Sequence, residues 1–294
     1  MIEQLTALGI AFEEDLPMHQ KTSFKIGGAA QLVIFPSSAQ QLQACIKLCV
    51  QENIKPFILG NGSNLLVKDS GLDGVVISTE KLQSIQLLDD TTILCEAGVS
   101  LSVLCNFALE HSLAGLEFAY GIPGSLGGGV YMNAGAYGGE MKHVLHAVQY
   151  VDPTGQLHKL SADQLGLSYR HSAFMQLGGI VVAATLKLQS GNPTKIKDLM
   201  NDIMGRRKEK QPLEFPSAGS VFKRPPGQYA GALIEQCGLK GHSVGGAQVS
   251  EKHAGFIINT GGAKAADVRA LIALVQAVVE QETGVLLEPE IRFV

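Results

Sequence analysis

Short apolar runs alternate with amphipathic segments along the first two-thirds of the chain, which is typical of a protein that mixes strands with helices. Continuous or alternating apolar runs predict strands at residues 30–35, 56–59, 74–77, 85–88, 92–96, 144–151 and 179–188. Apolar positions three and four residues apart predict a helix that Ser37 caps and that ends near Gln51, and another over 101–111. Because the first helix lies between two strands, we expect a βαβ-like unit that ends in the first glycine-rich loop.

The last third of the chain continues this pattern as a separate module. After a break at Gly191-Asn-Pro193, a helix is expected to carry three apolar residues on one face, namely Ile196, Leu199 and Ile203. A long helix is predicted from about Ala265 to Glu282 and a closing strand from Leu286 to Val294. The pattern therefore indicates that a second module begins at about residue 192.

Two glycine-rich segments interrupt the pattern, Leu59-Gly-Asn-Gly-Ser-Asn-Leu65 and the longer stretch 121–139. So many glycines do not suit a packed helix or strand, but they let backbone amides approach a ligand closely. A pair of plain turns is the alternative. Leu65 stands where a Rossmann loop has its third glycine, and neither loop ends in Gly-Lys-Ser/Thr, so the usual nucleotide fingerprints are absent. We expect the two loops to hold an extended, phosphate-bearing ligand.

Composition narrows the class of protein. With 46% hydrophobic and 17% charged residues, the chain is long enough and apolar enough for a compact protein of two or three domains. A net charge of −4 provides no general attraction for nucleic acid or an anionic membrane. No apolar run approaches the roughly 20 residues that span a bilayer, and the N-terminus lacks the pattern of a signal peptide. We therefore expect a soluble, cytoplasmic protein.

The cysteines and histidines do not indicate a metal site. The five cysteines are scattered, odd in number and without a Cys-x-x-Cys pair, which fits a reducing compartment. Cys45 and Cys49 share the apolar face of the first predicted helix, so burial is expected. His143 and His146 have no carboxylate signature beside them, and we expect no metal.

A basic cluster at 206–210 contrasts with the acidic chain as a whole. It could be the solvated end of a helix, where the helix dipole favours cations. Lys223 and Arg224 add two cations close to another turn rich in small residues. Together these residues favour a second anionic ligand.

Eight motifs resemble, in the same order, those of the UDP-N-acetylenolpyruvoylglucosamine reductase family, the UDP-N-acetylmuramate dehydrogenases. They cover nearly the whole chain: Thr22-Ser-Phe-Lys-Ile-Gly-Gly28, Gly60-Asn-Gly-Ser-Asn-Leu65, Gly115-Leu-Glu-Phe118, Gly121-Ile-Pro-Gly124, Asn133-Ala-Gly-Ala-Tyr-Gly138, Tyr169-Arg170, Ala218-Gly-Ser-Val-Phe-Lys223 and Glu288-Pro-Glu-Ile-Arg-Phe293. One such motif would be weak evidence, whereas eight in register are strong. The resemblance implies reduction of UDP-N-acetylglucosamine enolpyruvate to UDP-N-acetylmuramate in bacterial peptidoglycan precursor synthesis.

The resemblance also implies a fold and two cofactors. Residues 1–80 and 81–191 would form the two α+β subdomains of an FAD-binding domain of the vanillyl-alcohol-oxidase (PCMH) type, and 192–294 an α+β substrate domain. NADPH would supply the hydride. The first loop offers no histidine for covalent attachment, so FAD is expected to bind non-covalently. The implied FAD-binding residues are Leu59, Gly60, Asn61, Gly62, Ser63, Asn64, Leu65, Gly121, Pro123, Gly124, Ser125, Gly128, Asn133, Gly135 and Ala136.

Three residues match the family's catalytic positions. Ser220 would deliver the proton, and Arg170 would stabilise the charge that builds on the substrate carboxylate. Glu290 would stabilise the enol-like intermediate by hydrogen bonding from a protonated carboxyl group. Taken singly, Ser220 could be a turn serine, Arg170 a member of a surface ion pair and Glu290 a charge at the end of a strand. The substrate-binding candidates are Tyr169, Lys210, Lys223, Arg224 and His253.

Members of the family with a lid insertion carry a substrate-capping tyrosine on it. Tyr229 is the only tyrosine between Ser220 and Glu290, so the chain resembles the shorter form. We expect a monomer that binds this small-molecule substrate and neither nucleic acid nor membrane. The alternatives are another FAD-dependent sugar or alcohol oxidoreductase of the same fold, or a non-catalytic flavin-binding module. Neither alternative has a reason to carry Ser220, Arg170 and Glu290 together.

Overall fold

The computed structural model describes all 294 residues and mixes helices with strands along the whole chain. The helices are α1 (Ile2–Ala7), α2 (Ala39–Gln51), α3 (Leu101–Glu110), α4 (Leu126–Tyr131), α5 (Phe174–Leu177), α6 (Pro193–Lys210), α7 (Ala230–Gln236) and α8 (Ala265–Thr283). The first ten strands are β1 (Ala11–Pro17), β2 (Ala29–Phe35), β3 (Phe57–Leu59), β4 (Leu65–Leu66), β5 (Leu72–Ser78), β6 (Ile85–Asp89), β7 (Thr92–Glu96), β8 (Leu113–Ala114), β9 (Gly135–Ala136) and β10 (Gly139–Glu140). The others are β11 (Leu145–Val151), β12 (Leu157–Ser161), β13 (Ile180–Lys187), β14 (Gln189–Ser190), β15 (Ser217–Ser220), β16 (Ser243–Val244), β17 (Ala247–Val249), β18 (Phe256–Asn259) and β19 (Arg292–Phe293).

The chain divides into two compact units, each built from separated segments. The first unit comprises Met1–Glu14, Leu32–Asn61 and Gly74–Gly205. The second comprises Asp15–Gln31, Gly62–Asp73 and Arg206–Val294. None of the helices combines the length and the apolar character that crossing a bilayer requires.

The first unit is built around an antiparallel sheet of order β12-β11-β13-β7-β6. All but the last residue of β13 are buried, because this strand lies in the middle of the sheet with α4 packed against it. Strand β3 pairs in parallel with β5 in a second sheet of order β1-β2-β5-β3, and α2 connects β2 to β3. This connection forms the expected βαβ-like unit. Both cysteines of α2, Cys45 and Cys49, are buried as expected.

The second unit has its own core and sheet. Strands β15, β18, β17 and β16 form an antiparallel sheet in that order, and α8 packs against β16 and β17. The buried face of α8 carries Val268, Leu271, Ile272, Val275 and Val279. Helix α8 ends at Gly284, whose φ of 72° is the left-handed conformation that closes many helices. The short strand β19 lies parallel to β4, which fixes the C-terminus beside residues 65–66.

Three details of the sequence prediction were wrong. Ser38, not Ser37, caps α2, since its side chain accepts a hydrogen bond from the amide of Gln41; Ser37 instead donates to the Gln41 side chain. On α6, Ile196 and Ile203 are buried but Leu199 is 47% exposed. The closing strand shrinks from 286–294 to β19, because Pro289 has no amide to donate and only an isolated bridge to Phe222 precedes β19.

Candidate active site

The first half of the first glycine-rich loop meets the second loop within the first unit. Gly60 and Asn61 follow β3, and a Cβ placed on Gly60 would lie 2.8 Å from the Ser125 hydroxyl oxygen of the second loop. The Asn61 side-chain amide donates a hydrogen bond of 3.5 Å to the carbonyl of Pro123. Both loops present small residues at their meeting point, so their backbones approach each other closely there. The residues present fit an extended phosphate-bearing ligand such as FAD.

The second loop holds a helix that the sequence analysis excluded. Residues 126–131 form α4 despite three successive glycines, and the Ser125 side chain accepts the capping hydrogen bond from the Gly128 amide. A Cβ on Gly127 would lie 2.9 Å from the Ala97 Cβ, and one on Gly129 would touch Leu101. Glycine is therefore required at position 127 for close packing against Ala97, and this packing offsets the low helix propensity of glycine there.

The other cofactor candidates of this loop occupy fixed positions around α4. Gly121 donates its amide to the Ser102 hydroxyl, and the Gly124 carbonyl accepts from Leu101. Gly128 is exposed, whereas Gly135 and Ala136 form β9 and pair with β10. Leu59 is buried, and its carbonyl accepts from Thr79.

The Asn133 side chain is hydrogen-bonded within the protein and is not exposed at the surface. It is fully buried, and its Nδ2 donates to the Glu140 carboxylate at 2.8 Å and to the Ser168 carbonyl at 2.9 Å. Its Oδ1 accepts from the Lys142 amide at 3.0 Å. With both polar atoms engaged, any part of Asn133 in cofactor binding would be to shape the loop. The sequence motif could not distinguish this role from direct contact.

Arg170 lies at the tip of a tight turn in the first unit. Ser168 and His171 exchange both backbone hydrogen bonds, so Tyr169 and Arg170 occupy the two tip positions. Arg170 has a φ of 53°, an unusual left-handed conformation for a residue with a side chain. Its guanidinium lies over the Tyr169 ring and donates a hydrogen bond of 3.5 Å to the Gly135 carbonyl. The turn therefore holds Arg170 beside the second glycine-rich loop.

The turn is fastened to that loop on both sides. The Ser168 carbonyl accepts from buried Asn133, and the buried Ser172 hydroxyl donates to the Tyr131 carbonyl at 2.7 Å. These two hydrogen bonds connect the Tyr169-Arg170 turn to Tyr131, the last residue of α4, and to Asn133 just after it. The strained conformation of Arg170 is thus maintained by its surroundings, a feature that is common at functional sites.

Ser220 lies at a bulge in the second unit. Between the pairs Ser217–Ile258 and Ser220–Phe256, strand β15 has one more residue than β18. Gly219 takes up the extra length with a φ of 77°. A bulge of this kind redirects the side chain that follows it. The half-buried Ser220 hydroxyl donates to the Phe222 carbonyl at 3.2 Å.

Glu290 lies directly beside the strand of Ser220. Its amide donates to the Val221 carbonyl at 2.7 Å, and its carbonyl accepts from the Asn64 side-chain amide at 3.1 Å. The Asn64 carbonyl in turn accepts from the Arg292 amide. The second half of the first glycine-rich loop, 62–65, thus belongs to the second unit and holds the Glu290 segment. Gly62 is required there because a Cβ would meet the Lys21 carbonyl; Ser63 is half-buried, and Leu65 begins β4.

The cationic candidates differ in their surroundings. Lys223 forms an ion pair with Glu288, while the Arg224 guanidinium lies 4.3 Å from the centre of the Tyr229 ring. Lys210 is exposed at the end of α6. Arg207, which the sequence analysis did not single out within the basic cluster, is only 6% exposed, and its Nη1 donates to Gln211. A run of neighbouring charges gave no sign that one of them is buried.

His253 lies close to Ser220 in the second unit. Its Nδ1 accepts from the Gly255 amide at 3.1 Å, and a Cβ on Gly255 would lie 3.0 Å from its Cε1 and 3.4 Å from the Ser220 hydroxyl oxygen. Burial lowers the pKa of the imidazole, so the ring is neutral near neutral pH. The structure therefore brings Ser220, Glu290 and His253 together within one unit and places Arg170 in the other.

Comparisons with known proteins agree with this geometry. The sequence model of the UDP-N-acetylenolpyruvoylglucosamine reductase C-terminal domain matches residues 211–294, and that of an FAD binding domain matches 30–161. A UDP-N-acetylenolpyruvoylglucosamine reductase from Caldanaerobacter subterraneus subspecies tengcongensis is 52% identical over 95% of this chain and 92% of its own length. One from Clostridium botulinum is 50% identical over 95% of this chain and 91% of its own length.

Solved structures give the same result. The crystal structure of the Thermus caldophilus UDP-N-acetylenolpyruvylglucosamine reductase has a TM-score of 0.83 and 35% identity, covering 97% of this chain and 98% of that one. The Physcomitrella patens BBE-like 1 protein, at 15% identity and a TM-score of 0.51 over 65% of this chain and 44% of its own, shares the fold alone. At 294 residues the chain is short, as expected for the form without the lid insertion. The chain therefore belongs to the UDP-N-acetylenolpyruvoylglucosamine reductase family and is an FAD-dependent oxidoreductase.

Proposed function

We propose that this chain reduces UDP-N-acetylglucosamine enolpyruvate to UDP-N-acetylmuramate with NADPH, and that Ser220, Arg170 and Glu290 carry out the chemistry. The observation that carries the assignment is the pairing of the Ser220 and Glu290 segments. One hydrogen bond, from the Glu290 amide to the Val221 carbonyl, joins them directly. A flavin-binding module without this reaction would not need a serine on a bulge paired with a segment that carries a glutamate.

The cofactor is held by the two glycine-rich loops in this proposal. When bound there, FAD would supply the hydride transfer between NADPH and the enolpyruvyl double bond. The backbone amides near Gly60, Ser125 and Gly128 would bind its phosphates, since glycine lets a ligand approach the backbone closely. Neither loop contains a histidine, so the binding is non-covalent.

The three catalytic residues divide the remaining work. Ser220 gives its hydroxyl proton to the substrate carbon that neighbours the reduced one; a serine can do so only when it is held close to a strongly basic carbon. Arg170 binds the substrate carboxylate through its planar guanidinium and stabilises the negative charge that develops there. Glu290 stabilises the same charge through a hydrogen bond.

Cationic and aromatic side chains would bind the rest of the substrate. Lys210, Lys223 and Arg224 would attract the diphosphate of the UDP group. Tyr169 would orient the substrate beside Arg170, over whose guanidinium it already stacks. The candidate His253 packs against Phe256, the cross-strand partner of Ser220, and its role is considered below.

We further propose how the chain is organised and where it works. Residues 1–80 and 81–191 form the two halves of the FAD-binding domain, and 192–294 bind the substrate. The sheets support this division, because β7, β11 and β13 lie within the second segment and β15 to β18 within the third. The enzyme is a cytoplasmic monomer that binds neither nucleic acid nor membrane.

The test is an anaerobic spectral titration of the purified protein. We expect a yellow, FAD-loaded protein that NADPH bleaches and that UDP-N-acetylglucosamine enolpyruvate returns to its oxidised spectrum with formation of UDP-N-acetylmuramate. Acid precipitation should release the flavin. A protein that NADPH bleaches but that ignores the enolpyruvyl substrate would support another oxidoreductase instead, and a protein unable to bind FAD would disprove the proposal.

A further inference from the structure

His253 lies in the loop between β17 and β18, and this loop is fastened from several directions. The Ser250 side chain, 1% exposed, accepts from the amides of Lys252 and His253. The Ser250 amide donates to the Phe256 carbonyl, and the Phe256 amide donates to the His253 carbonyl. The imidazole is therefore attached to a rigid turn rather than to a flexible loop.

The ring occupies a space that two glycines leave open. A Cβ on Gly231 of α7 would lie 3.2 Å from the imidazole Cε1, and a Cβ on Gly255 would lie 3.0 Å from the same atom. On its other side the ring packs edge-on against Phe256, with the ring centres 5.0 Å apart. Phe256 is the cross-strand partner of Ser220. The imidazole is thus packed directly behind the strand pair that carries the proposed proton donor.

One residue, Gly255, links the imidazole to the strand of Ser220 through its amide and its carbonyl, which belong to two successive peptide groups. The Gly255 amide donates to Nδ1 of His253, and the Gly255 carbonyl accepts from the Val221 amide at 2.8 Å. The Gly255 α-carbon also faces the Ser220 hydroxyl, since a Cβ there would lie 3.4 Å from the hydroxyl oxygen. An acceptor at Nδ1 fixes the neutral ring as its Nε2–H tautomer. A protonated ring could not accept this hydrogen bond.

From this geometry we infer that His253 is a positioning residue, which holds Ser220 in place for proton delivery through the backbone of Gly255 and only while its imidazole is neutral. The inference rests on the proposed role of Ser220. It differs from a contact between His253 and the substrate, because the imidazole acts here through the backbone beside the serine. A substrate contact would change the binding of substrate, whereas positioning changes the rate of the step that Ser220 performs.

The charged groups near the ring allow such a neutral state. Burial is the main cause of the lowered imidazole pKa, and Lys240 lowers it further, while Glu235 on α7 opposes this. Lys240 and Glu235 pair with each other at 2.6 Å, so their effects on the ring partly cancel. The next residue before the ring, Lys252, pairs with Glu214 at 3.5 Å. Because the folded pKa is lowered, the hydrogen bond is complete above the ordinary histidine pKa and is lost as the pH falls through the lowered value.

Two substitutions at position 253 separate the hydrogen bond from the packing. His253→Asn places an uncharged oxygen where Nδ1 stands and does not titrate, whereas His253→Leu fills similar space without an acceptor. His242→Leu is the matched control, because His242 is an exposed histidine of the same unit. The thermal midpoint of each variant shows that it is folded before rates are compared.

The first readout needs no activity. In the wild-type protein the ¹⁵N–¹H shift of Gly255 should titrate with the His253 ring, and in His253→Asn it should not. In His253→Leu the Gly255 amide should exchange with solvent about fivefold faster, the factor expected for the loss of one net hydrogen bond. Gly255 shifts that ignore pH in the wild type, or unchanged exchange in His253→Leu, would overturn the inference.

The second readout separates the two half-reactions of the FAD-loaded enzyme. We expect His253→Leu to slow reoxidation by the enolpyruvyl substrate about tenfold or more while leaving both reduction by NADPH and substrate affinity unchanged. His253→Asn should restore most of the reoxidation rate. It should also remove the part of the rate loss at low pH that comes from protonation of His253. In a Ser220→Ala background, His253→Leu should have no further effect on reoxidation.

The outcomes distinguish this inference from the proposed function. A weaker substrate affinity with an unchanged reoxidation rate would make His253 a substrate-contacting residue and overturn the inference, as would equal slowing of both half-reactions. A wild-type protein that never reacts with the enolpyruvyl substrate would defeat the proposed function instead. In that case the Gly255 shift and exchange would still decide whether the imidazole holds the strand of Ser220.

Discussion

Single residues in unusual conformations mark the proposed site. Arg170 and Gly219 both have φ near or above 50°, and each immediately determines where a proposed catalytic group points. A glycine adopts this conformation without strain, but an arginine does so at a cost of about 1–2 kcal/mol. The hydrogen bonds that fasten the Tyr169-Arg170 turn offset this cost. The left-handed conformation of Arg170 thus lowers the stability of the fold but places the guanidinium. Whether the reaction needs a guanidinium at this position can be tested directly.

We predict that Arg170→Lys slows reduction of the enolpyruvyl substrate by about a hundredfold. Lysine keeps the charge but loses the planar fork that binds a carboxylate through two hydrogen bonds. Rapid-mixing measurements of the two half-reactions would show a loss confined to the substrate step. Arg269→Lys is the matched control, since Arg269 also lies over an aromatic ring, that of Phe293, yet has no assigned role. Wild-type rates in Arg170→Lys would remove Arg170 from the mechanism.

Among the elements, the turn that carries Arg170 depends on one buried amide. Asn133 donates to both the Ser168 carbonyl and the Glu140 carboxylate. Glu140 also pairs with Lys142 at 2.9 Å, and the hydrogen bond from Lys142 is the main cause of its lowered pKa. The turn, strand β10 and the loop after α4 therefore share one small network. Removing its central donor should affect all three elements at once.

Asn133→Asp should lower the free energy of unfolding at neutral pH by about 2–4 kcal/mol. The new carboxylate faces that of Glu140 and cannot donate to Ser168. Two such carboxylates share a proton more readily than one, so their pKa rises and the deficit should shrink as the pH falls through it. Denaturant titrations at several pH values measure this loss.

The double variant Asn133→Asp/Glu140→Gln provides the control for that network. Its glutamine amide can donate to the new carboxylate, so it should recover the part of the loss that comes from the charge pair. The hydrogen bond to Ser168 stays broken in both variants. Equal stability of the single and double variants would show that the Glu140 contact contributes nothing measurable.

For the whole molecule, the sequence was informative wherever function left a local pattern. The FAD-binding fold follows from motifs in register, and strands β2, β3, β5, β6, β7, β11 and β13 follow from apolar runs. Strand β12 and the four-stranded sheet of the second unit were not predicted. Helix α4 could not be predicted, because its glycines are favoured by the nearness of Ala97 and Leu101, which are distant contacts in the fold. The same holds for the clamp of Asn64 on Glu290 and for the Gly255 link between His253 and Ser220, since each joins segments far apart in the sequence.

The cysteines allow a test of how cofactor binding stabilises the whole protein. Cys45, Cys49, Cys95 and Cys105 are buried in the core of the first unit, and Cys237 is half-buried in the second. Burial raises the pKa of Cys45 and of Cys95 to about 12 and that of Cys49 to about 11, so their reactive thiolate forms are scarce. In the native protein we therefore expect no more than one rapidly reacting thiol, that of Cys237, and five in denaturant.

Bound FAD should slow the labelling of the four buried thiols, because reagent reaches them only when the first unit opens. If opening abolishes binding, free FAD at 100 times its dissociation constant should reduce their labelling rate by about a hundredfold. Mass spectrometry after timed labelling assigns the rate to each cysteine, and Cys237→Ser removes the fast phase as a control. Rapid labelling of Cys45 or Cys95 in the native protein would show that the core is not closed. A labelling rate that ignores FAD would mean that these thiols become accessible without any loss of the cofactor site.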